Sequence, residues 1–385
     1  MAKKKIAVMD IGSSKIKVAY LNLKHKKSFD VISVGESSYA GFENGVFFEP
    51  DKLVSALGEA IKQTKTSEPL KELYVSIPSE FLIAKTKQVS TNFACKRKIR
   101  KQDISALMDE GNDIKFNKDY TLISCDAISY VLDKQKVISH AENQKAQHLT
   151  ATFGYIYADN DCIMKLNSCF KELGLLSVDY VSSPLTEFLC LLDKNARKEL
   201  AIIVDCGYIT THVLIGKNNG LLSLNSFSVG GGHIMSDLAQ ILKIYFEQAE
   251  ELKRKALIMQ NESSAGGYEI TKSGYLYEAS ANAVSSIIKA RLDMIGQAIN
   301  KSLEISKIEY PKYMPVFLTG GGIALMKGAK EYLSKILDRH IEIINAKSPQ
   351  YAKPNYSSLM SLCDFACEKE FESSRLFLAK IFAKW

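Results

Sequence analysis

An α/β fold of two similar lobes is what this sequence predicts, and three observations carry it. The run IAVMDIGSSKIKVAYLNL at 6–23 reads as a strand, a tight turn opening on Asp10, and a second strand. The pattern returns at 200–215, LAIIVDCGYITTHVLI, where a β-rich run meets Asp205 and the chain resumes as a strand after Thr210. The third observation is YMPVFLTGGGIALMK at 313–327, a buried-type strand, Val316 to Thr319, running into Gly320, Gly321 and Gly322 and then a helical pattern. Asp-x-Gly-x-x-Lys/Thr alone recurs by chance. Recurrence with apolar strands on both sides, near the start of each half, is much rarer.

The bulk numbers suit such a chain. Its 385 residues suggest two or three domains. Hydrophobic residues at 46% and charged residues at 24% are ordinary for a soluble globular protein. A formal net charge of +7 favours an anionic partner without choosing one. No run reaches the roughly 18 apolar residues of a spanning helix. The N-terminal run contains Asp10 and has no small-residue cleavage site, so it does not read as a signal peptide. Of eight scattered cysteines only Cys363 and Cys367 are close, and no second ligand pair accompanies them. Reduced thiols in a cytosolic protein are expected.

Each element then has a reading. In the first turn, Gly12, Ser13, Ser14 and Lys15 place backbone N–H groups and two hydroxyls beside the Asp10 carboxylate. That is a cradle for a phosphate and its metal, and also the composition of an ordinary hairpin turn. Two such turns opposite one another would let a polyphosphate sit between lobes, with Asp10 and Asp205 holding a hydrated divalent ion. YVSIPSEF at 74–81 is a strand. After it come a basic turn, a helix starting near Asp103, strands at 121–133 and 147–159, and a helix at 161–175 with Ile163, Leu166, Phe170 and Leu173 on one face. Together they make a small α+β insert. FSVGGGHIMSDLAQIL at 227–242 ends a strand at Gly230–Gly232 and starts a helix near His233. Asp237 is favourable near the positive end of that helix. EQAEELKRKALIM at 247–259 is helical, and its Glu250–Arg254 pair fits a solvated face. NESSAGGYEITKSGYLYEASANAV at 261–284 suits a small strand-bearing subdomain. The three glycines at 320–322 let backbone approach a flat ligand closely. Neither a G-x-G-x-x-G dinucleotide fingerprint nor a P-loop is present.

Taken together these stretches resemble the actin, sugar-kinase and heat-shock ATPase superfamily, and within it the FtsA family of bacterial cell-division proteins. The Asp10 turn resembles the first phosphate loop, the Asp205 turn with Gly207 and Thr210 the second, and the 320–322 glycines the adenosine motif. DIGSSKIKV at 10–18, VGGGHIMSDLA at 229–239 and AEELK at 249–253 carry the FtsA likeness. It implies that Gly231 and Gly232 approach phosphates, that Glu250 and Lys253 reach ribose and base, and that Arg291 lies near the adenine. It further implies an actin-like (ribonuclease H-like) two-lobed fold with an FtsA-type 1C insertion. Subdomain 1A would take 1–83 and 163–195, the SHS2-like 1C 84–162, and 2A/2B 196–367, with 2B near 243–285.

Two departures bear on chemistry. Most FtsA proteins have Asp-x-Gly-Gly-Gly-Thr in the second phosphate loop, and here Tyr208 and Ile209 replace small residues. Active chaperone-like and MreB-like ATPases place a glutamate before the proline of the connecting helix. Here Ser183 precedes Pro184 in VDYVSSPLTEFLCLL, as FtsA proteins also lack this glutamate. A hydroxyl has no pKa suited to general-base work. Glu187, one turn on, is the nearest substitute, and otherwise faces solvent or the adjacent subdomain. Magnesium-dependent ATP binding with slow or absent hydrolysis is therefore expected.

The last stretch, FESSRLFLAKIFAKW at 371–385, puts Leu378, Ile381, Phe382 and Trp385 on one helical face, with Arg375, Lys380 and Lys384 supplying charge. That suits an amphipathic helix at a membrane interface, and also a last helix docked on the core. By resemblance the protein is a peripheral protein on the cytoplasmic face of the cell membrane at the division site. It would polymerise with itself, tether FtsZ, recruit later division proteins through 1C and bind anionic lipid. A pilus-assembly scaffold resembling PilM is the alternative, with other non-division actin-like ATPases such as MreB behind it. A sugar or acetate kinase would need a carboxylate base and a substrate pocket, and a nucleic-acid module would need interleaved basic and aromatic residues.

Overall fold

The computed structural model describes residues 4–24, 27–39, 41–66, 72–112, 119–175, 177–258, 266–272 and 275–382. By contact the chain divides into two units. One comprises Met1–Leu200, Leu214–Leu224 and Ser358–Trp385, the other Ala201–Val213 and Asn225–Ser357.

The first unit starts with β1 (Lys5–Ile11), β2 (Lys15–Lys24) and β3 (Ser28–Ser38), an antiparallel run. A ribbon of β4 (Phe42–Glu43) and β5 (Val46–Phe47), helix α1 (Pro50–Gln63) and strand β6 (Leu73–Ile77) follow. β1 is buried from Ile6 onward and β6 throughout, as strands covered on both faces must be. β6 pairs parallel with β1, Asp10 opposite Ser76.

Next comes a separate four-stranded sheet. β7 (Leu82–Lys98) leads to α2 (Lys101–Gly111), then β8 (Tyr120–Leu132), β9 (Lys136–Ile138) and β10 (Lys145–Asp159), in the order β7-β10-β8-β9. The basic residues at 96–98 lie in β7, not in a turn. α2 begins two residues ahead of Asp103, whose carboxylate accepts the Arg100 N–H at 2.7 Å and grips Arg97 through two bonds. This sheet has its own core of Leu149, Phe153, Tyr155 and Tyr157 from β10 against Val89, Leu107 and Tyr130.

Asp159 caps α3 (Asn160–Glu172) by accepting the Cys162 N–H. β11 (Val178–Ser182) joins β6 in parallel, and Ser182 caps α4 (Ser183–Leu191), which has Pro184 in its first turn. The first sheet is therefore ordered β11-β6-β1-β2-β3.

β12 (Ala201–Cys206), β13 (Thr211–Lys217) and β14 (Gly220–Phe227) begin the last sheet, ordered β14-β13-β12-β17-β18. Helices α5 (Gly231–Leu242) and α6 (Phe246–Lys255) and the hairpin β15 (Gly267–Lys272)–β16 (Tyr275–Ser280) precede α7 (Ala281–Ser306). Part of the 261–284 stretch lies outside the described residues. β17 (Val316–Thr319), α8 (Ala329–Leu337) and β18 (Ile341–Ile343) complete the sheet, and α9 (Ser357–Phe382) closes the chain. The side chains of Leu378, Ile381 and Phe382, and the whole of Trp385, lie outside the described residues. Among the described residues no helix is long and apolar enough to cross a membrane. None of the eight cysteines, all among the described residues, is joined in a disulfide.

The β13–β14 turn packs on the four-stranded sheet, where Asn218 Nδ2 donates to the Ile128 carbonyl at 2.6 Å and Gly220 lies against Ile128. Beside this contact Asp126 accepts the Ser124 hydroxyl, and burial pushes its carboxyl up to about 6. The folded state therefore holds a proton that the unfolded chain releases near 3.8. Stability falls as pH rises through that interval and stays reduced above it. Asp126→Asn is expected to gain about 1–2 kcal/mol at pH 8 and little at pH 4. Thermal melts at both pH values check this, and an equal effect at both would rule out the titration as its cause.

Candidate functional site: two Asp-x-Gly turns

The two turns are closed by the same bond. Gly12 N–H donates to the Lys15 carbonyl at 3.0 Å, and Gly207 N–H to the Thr210 carbonyl at 2.8 Å. Each glycine stands two residues after its aspartate and each acceptor five, so the repeat seen in the sequence is a repeat of local geometry.

In the first unit Asp10 is 7% exposed. Its Oδ1 accepts the Ser76 hydroxyl at 3.0 Å and the Ser358 hydroxyl at 2.7 Å. Ser76 arrives through the parallel β1–β6 register, Ser358 through the first turn of α9. Ser13 is buried, the Ser14 carbonyl accepts the Tyr39 N–H, and Lys15 Nζ pairs with Glu36 at 2.9 Å. Glu187 does not face solvent: α4 carries it fully buried. Ser183 Oγ lies 2.9 Å from Ser358 Oγ.

In the second unit Asp205 and Thr319 are register partners in parallel strands β12 and β17, so the loops that follow emerge side by side. Ligands of open α/β sheets bind at such carboxyl ends. The glycines fasten these loops together. Gly231 N–H donates to the Gly207 carbonyl at 2.9 Å, Gly232 N–H to Tyr208 at 2.7 Å and Gly322 N–H to Cys206 at 2.8 Å. A Cβ at Gly230 would stand 2.6 Å from the Gly207 oxygen. Gly320, at φ +90°, rests against the Asp205 carboxylate, while Gly321 faces Asn355. The local work of these glycines is thus to let two loops, 230–232 and 320–322, close on the 205–208 turn. Tyr208 fills the space that small residues would leave, its ring against Gly232 and its pKa raised by burial and by Glu250.

Thr210 Oγ1 is buried without a hydrogen-bond partner among the described residues. An orphaned hydroxyl in this turn fits a phosphate oxygen or a water of a hydrated cation, since burying it unpaired is costly. Lys253 is not on a solvated face: it is 4% exposed, with Nζ on Glu250 at 2.9 Å and near the Gly231 carbonyl at 3.4 Å. The expected Glu250–Arg254 pair is present at 2.8 Å. Arg291, on α7, grips Asp237 of α5 through two bonds of 2.7 and 2.8 Å. His233 Nδ1 accepts the Gly230 N–H at 3.1 Å, closing the start of α5. His212, which the sequence offered only as a strand residue, is buried with its ring within 4.8 Å of the Asp205 carboxylate. Burial pushes its pKa down against the pull of Asp205.

The family model for cell division protein FtsA matches residues 202–361. The chain is similar to the cell division protein FtsA of Neisseria meningitidis serogroup B, 21% identical over 383 residues, covering 95% of this chain and 91% of that one. Among solved structures it resembles a PilM–PilN type IV pilus biogenesis complex, TM-score 0.66 at 15% identity, covering 95% and 99% of the two chains. It also resembles MreB5 of Spiroplasma citri bound to AMPPNP, TM-score 0.57 at 13% identity, covering 96% and 99%. The fold is therefore the two-lobed α/β actin-like (ribonuclease H-like) fold, of the kind found in FtsA and MreB proteins and consistent with nucleotide binding.

Proposed function

We propose that this chain is an ATP- and magnesium-binding actin-like division protein that polymerises and holds FtsZ at the cytoplasmic face of the membrane. The observation that carries the reading is the 205–208 turn, closed over by Gly230–Gly232 and Gly320–Gly322 and left with an unpartnered Thr210 hydroxyl. It falls within the stretch that the FtsA family model matches.

In this reading Asp10 and Asp205 hold the hydrated magnesium, and Thr210, Ser13, Ser14 and Lys15 serve the phosphates. Glu250 and Lys253 serve the ribose and base. Magnesium would supply charge neutralisation on the phosphate oxygens. Ser183 provides no base, so nucleotide acts as an assembly ligand more than as a substrate. The four-stranded sheet around 84–162 takes the place of 1C, contacting the next subunit and later division proteins. A contact repeated head to tail does not close, and so gives filaments. Residues 371–385 form the lipid tether, weak singly and strengthened by the many copies on one polymer.

Flotation on anionic liposomes with Mg-ATP and purified FtsZ tests this. The full chain is expected to float and carry FtsZ with it, and a chain ending at residue 372 to stay at the bottom. A second reading, a scaffold of the PilM kind, is favoured by the TM-score of 0.66. Flotation that fails to bring FtsZ would support that reading and end the first.

A further inference from the structure

The residue that the sequence reading left without a task, Ser183, stands where related ATPases place a glutamate. The structure gives it one. Ser183 Oγ lies 2.9 Å from Ser358 Oγ, and Ser358 Oγ donates to Asp10 Oδ1 at 2.7 Å. Ser358 has one proton, and that proton is committed to the carboxylate. The Ser183 hydroxyl must then be the donor between the two serines. The result is a directed chain, Ser183 to Ser358 to Asp10, with Ser76 donating to the same oxygen from the neighbouring strand at 3.0 Å.

We propose that Ser358 is a positioning residue for the cation site: with Ser183 behind it, it fixes the Asp10 carboxylate so that Oδ2 is presented to the hydrated magnesium. This rests on the nucleotide-binding reading above. Asp10 and Ser183 are 7% and 8% exposed, and a carboxylate so placed needs its hydrogen bonds supplied by the protein. Two hydroxyls converging on one oxygen lock the rotation of the carboxylate and leave the other oxygen its charge. The three serines come from β6, α4 and α9, so the register of β6 with both β1 and β11, and the start of α9, all bear on one atom.

Calorimetry of ATP binding, in magnesium and again in EDTA, tests this on wild type, Ser358→Ala, Ser358→Thr and Ser183→Ala. Wild type is expected to bind more tightly in magnesium. Ser358→Ala should lose about tenfold of that magnesium-dependent gain, the loss expected for a hydrogen bond to a charged group, while keeping its affinity in EDTA. Ser358→Thr retains the hydroxyl and should restore the gain. Ser183→Ala should show a smaller loss in the same direction, and it carries the test if Ser358→Ala does not fold. A merely structural serine would lower both affinities together, or neither. A magnesium-to-EDTA ratio unchanged in both alanine variants overturns the proposal. Wild type that binds no ATP in either buffer overturns instead the reading beneath it, and the proposal with it.

Discussion

Gly322→Ala lowers the melting temperature by several degrees, an expected cost of about 2–3 kcal/mol. A Cβ at this position would stand 2.7 Å from the Cys206 carbonyl oxygen and closer still to that of Gly207. These neighbours are backbone, so no rotamer change relieves the clash. They are also held, because Gly322 N–H donates to Cys206 and Gly231 N–H to Gly207. Relief therefore requires the loop after β17 to lift off the 205–208 turn, which breaks the bond to Cys206 and loosens the seat of Asp205. Gly266→Ala is the matched control. Nothing lies within 4 Å of its Cβ position, so its effect should stay within about 0.5 kcal/mol. A Gly322→Ala variant that melts with the control would mean that this loop packing does not hold the turn.

The turns were legible in the sequence because their information is local. An aspartate, a glycine two residues on and strand formers on both sides determine a hairpin without help from the rest of the chain. The insert was legible for the same reason, its strands at 121–133 and 147–159 appearing as β8 and β10 within two residues. What the sequence hid is what register decides. Ser76 sits in the apolar run YVSI, and only the β1–β6 pairing brings it to Asp10. Ser358 is separated from Asp10 by nearly the whole chain and carries no motif. Glu187 and Lys253 look like surface charges on helices, and their burial comes from what packs over those helices. Arg291 has a plausible place beside a nucleotide by resemblance, whereas in the structure its guanidinium is engaged by Asp237.

The second large effect concerns how α9 is held. Glu370 is 7% exposed, accepts the Tyr74 hydroxyl at 2.6 Å and pairs with Lys4 Nζ at 2.6 Å. Lys4 also pairs with Glu72 at 2.8 Å. The segment of Lys4 and β1 is thereby joined to α9 at two places, Asp10 to Ser358 and Lys4 to Glu370. The intervals match: six residues of strand and twelve of helix each span roughly 20 Å. Near the second joint Lys27 pairs with Glu368, and Lys369 lies 5.2 Å from the centre of the Tyr74 ring. Glu370→Ala leaves the Tyr74 hydroxyl buried and unpaired and strips Lys4 of one partner, at an expected cost of about 2–3 kcal/mol at pH 7. The bonds from Lys4 and Tyr74 outweigh burial and hold the Glu370 carboxyl below its ordinary 4.5. Its ionised form therefore stabilises the fold fully above that value, and the contribution drains away as pH falls through the lower native pKa. The gap in melting temperature between wild type and Glu370→Gln should be constant from pH 6 to 8 and narrow below pH 4. A gap that does not change with pH would assign the effect to packing, and no gap at all would mean that this joint does not hold α9. α9 continues from this joint to Phe382, so on the proposed tether reading a protein weakened at Glu370 should lose liposome binding only as it loses its fold, whereas one shortened at residue 372 should lose liposome binding alone.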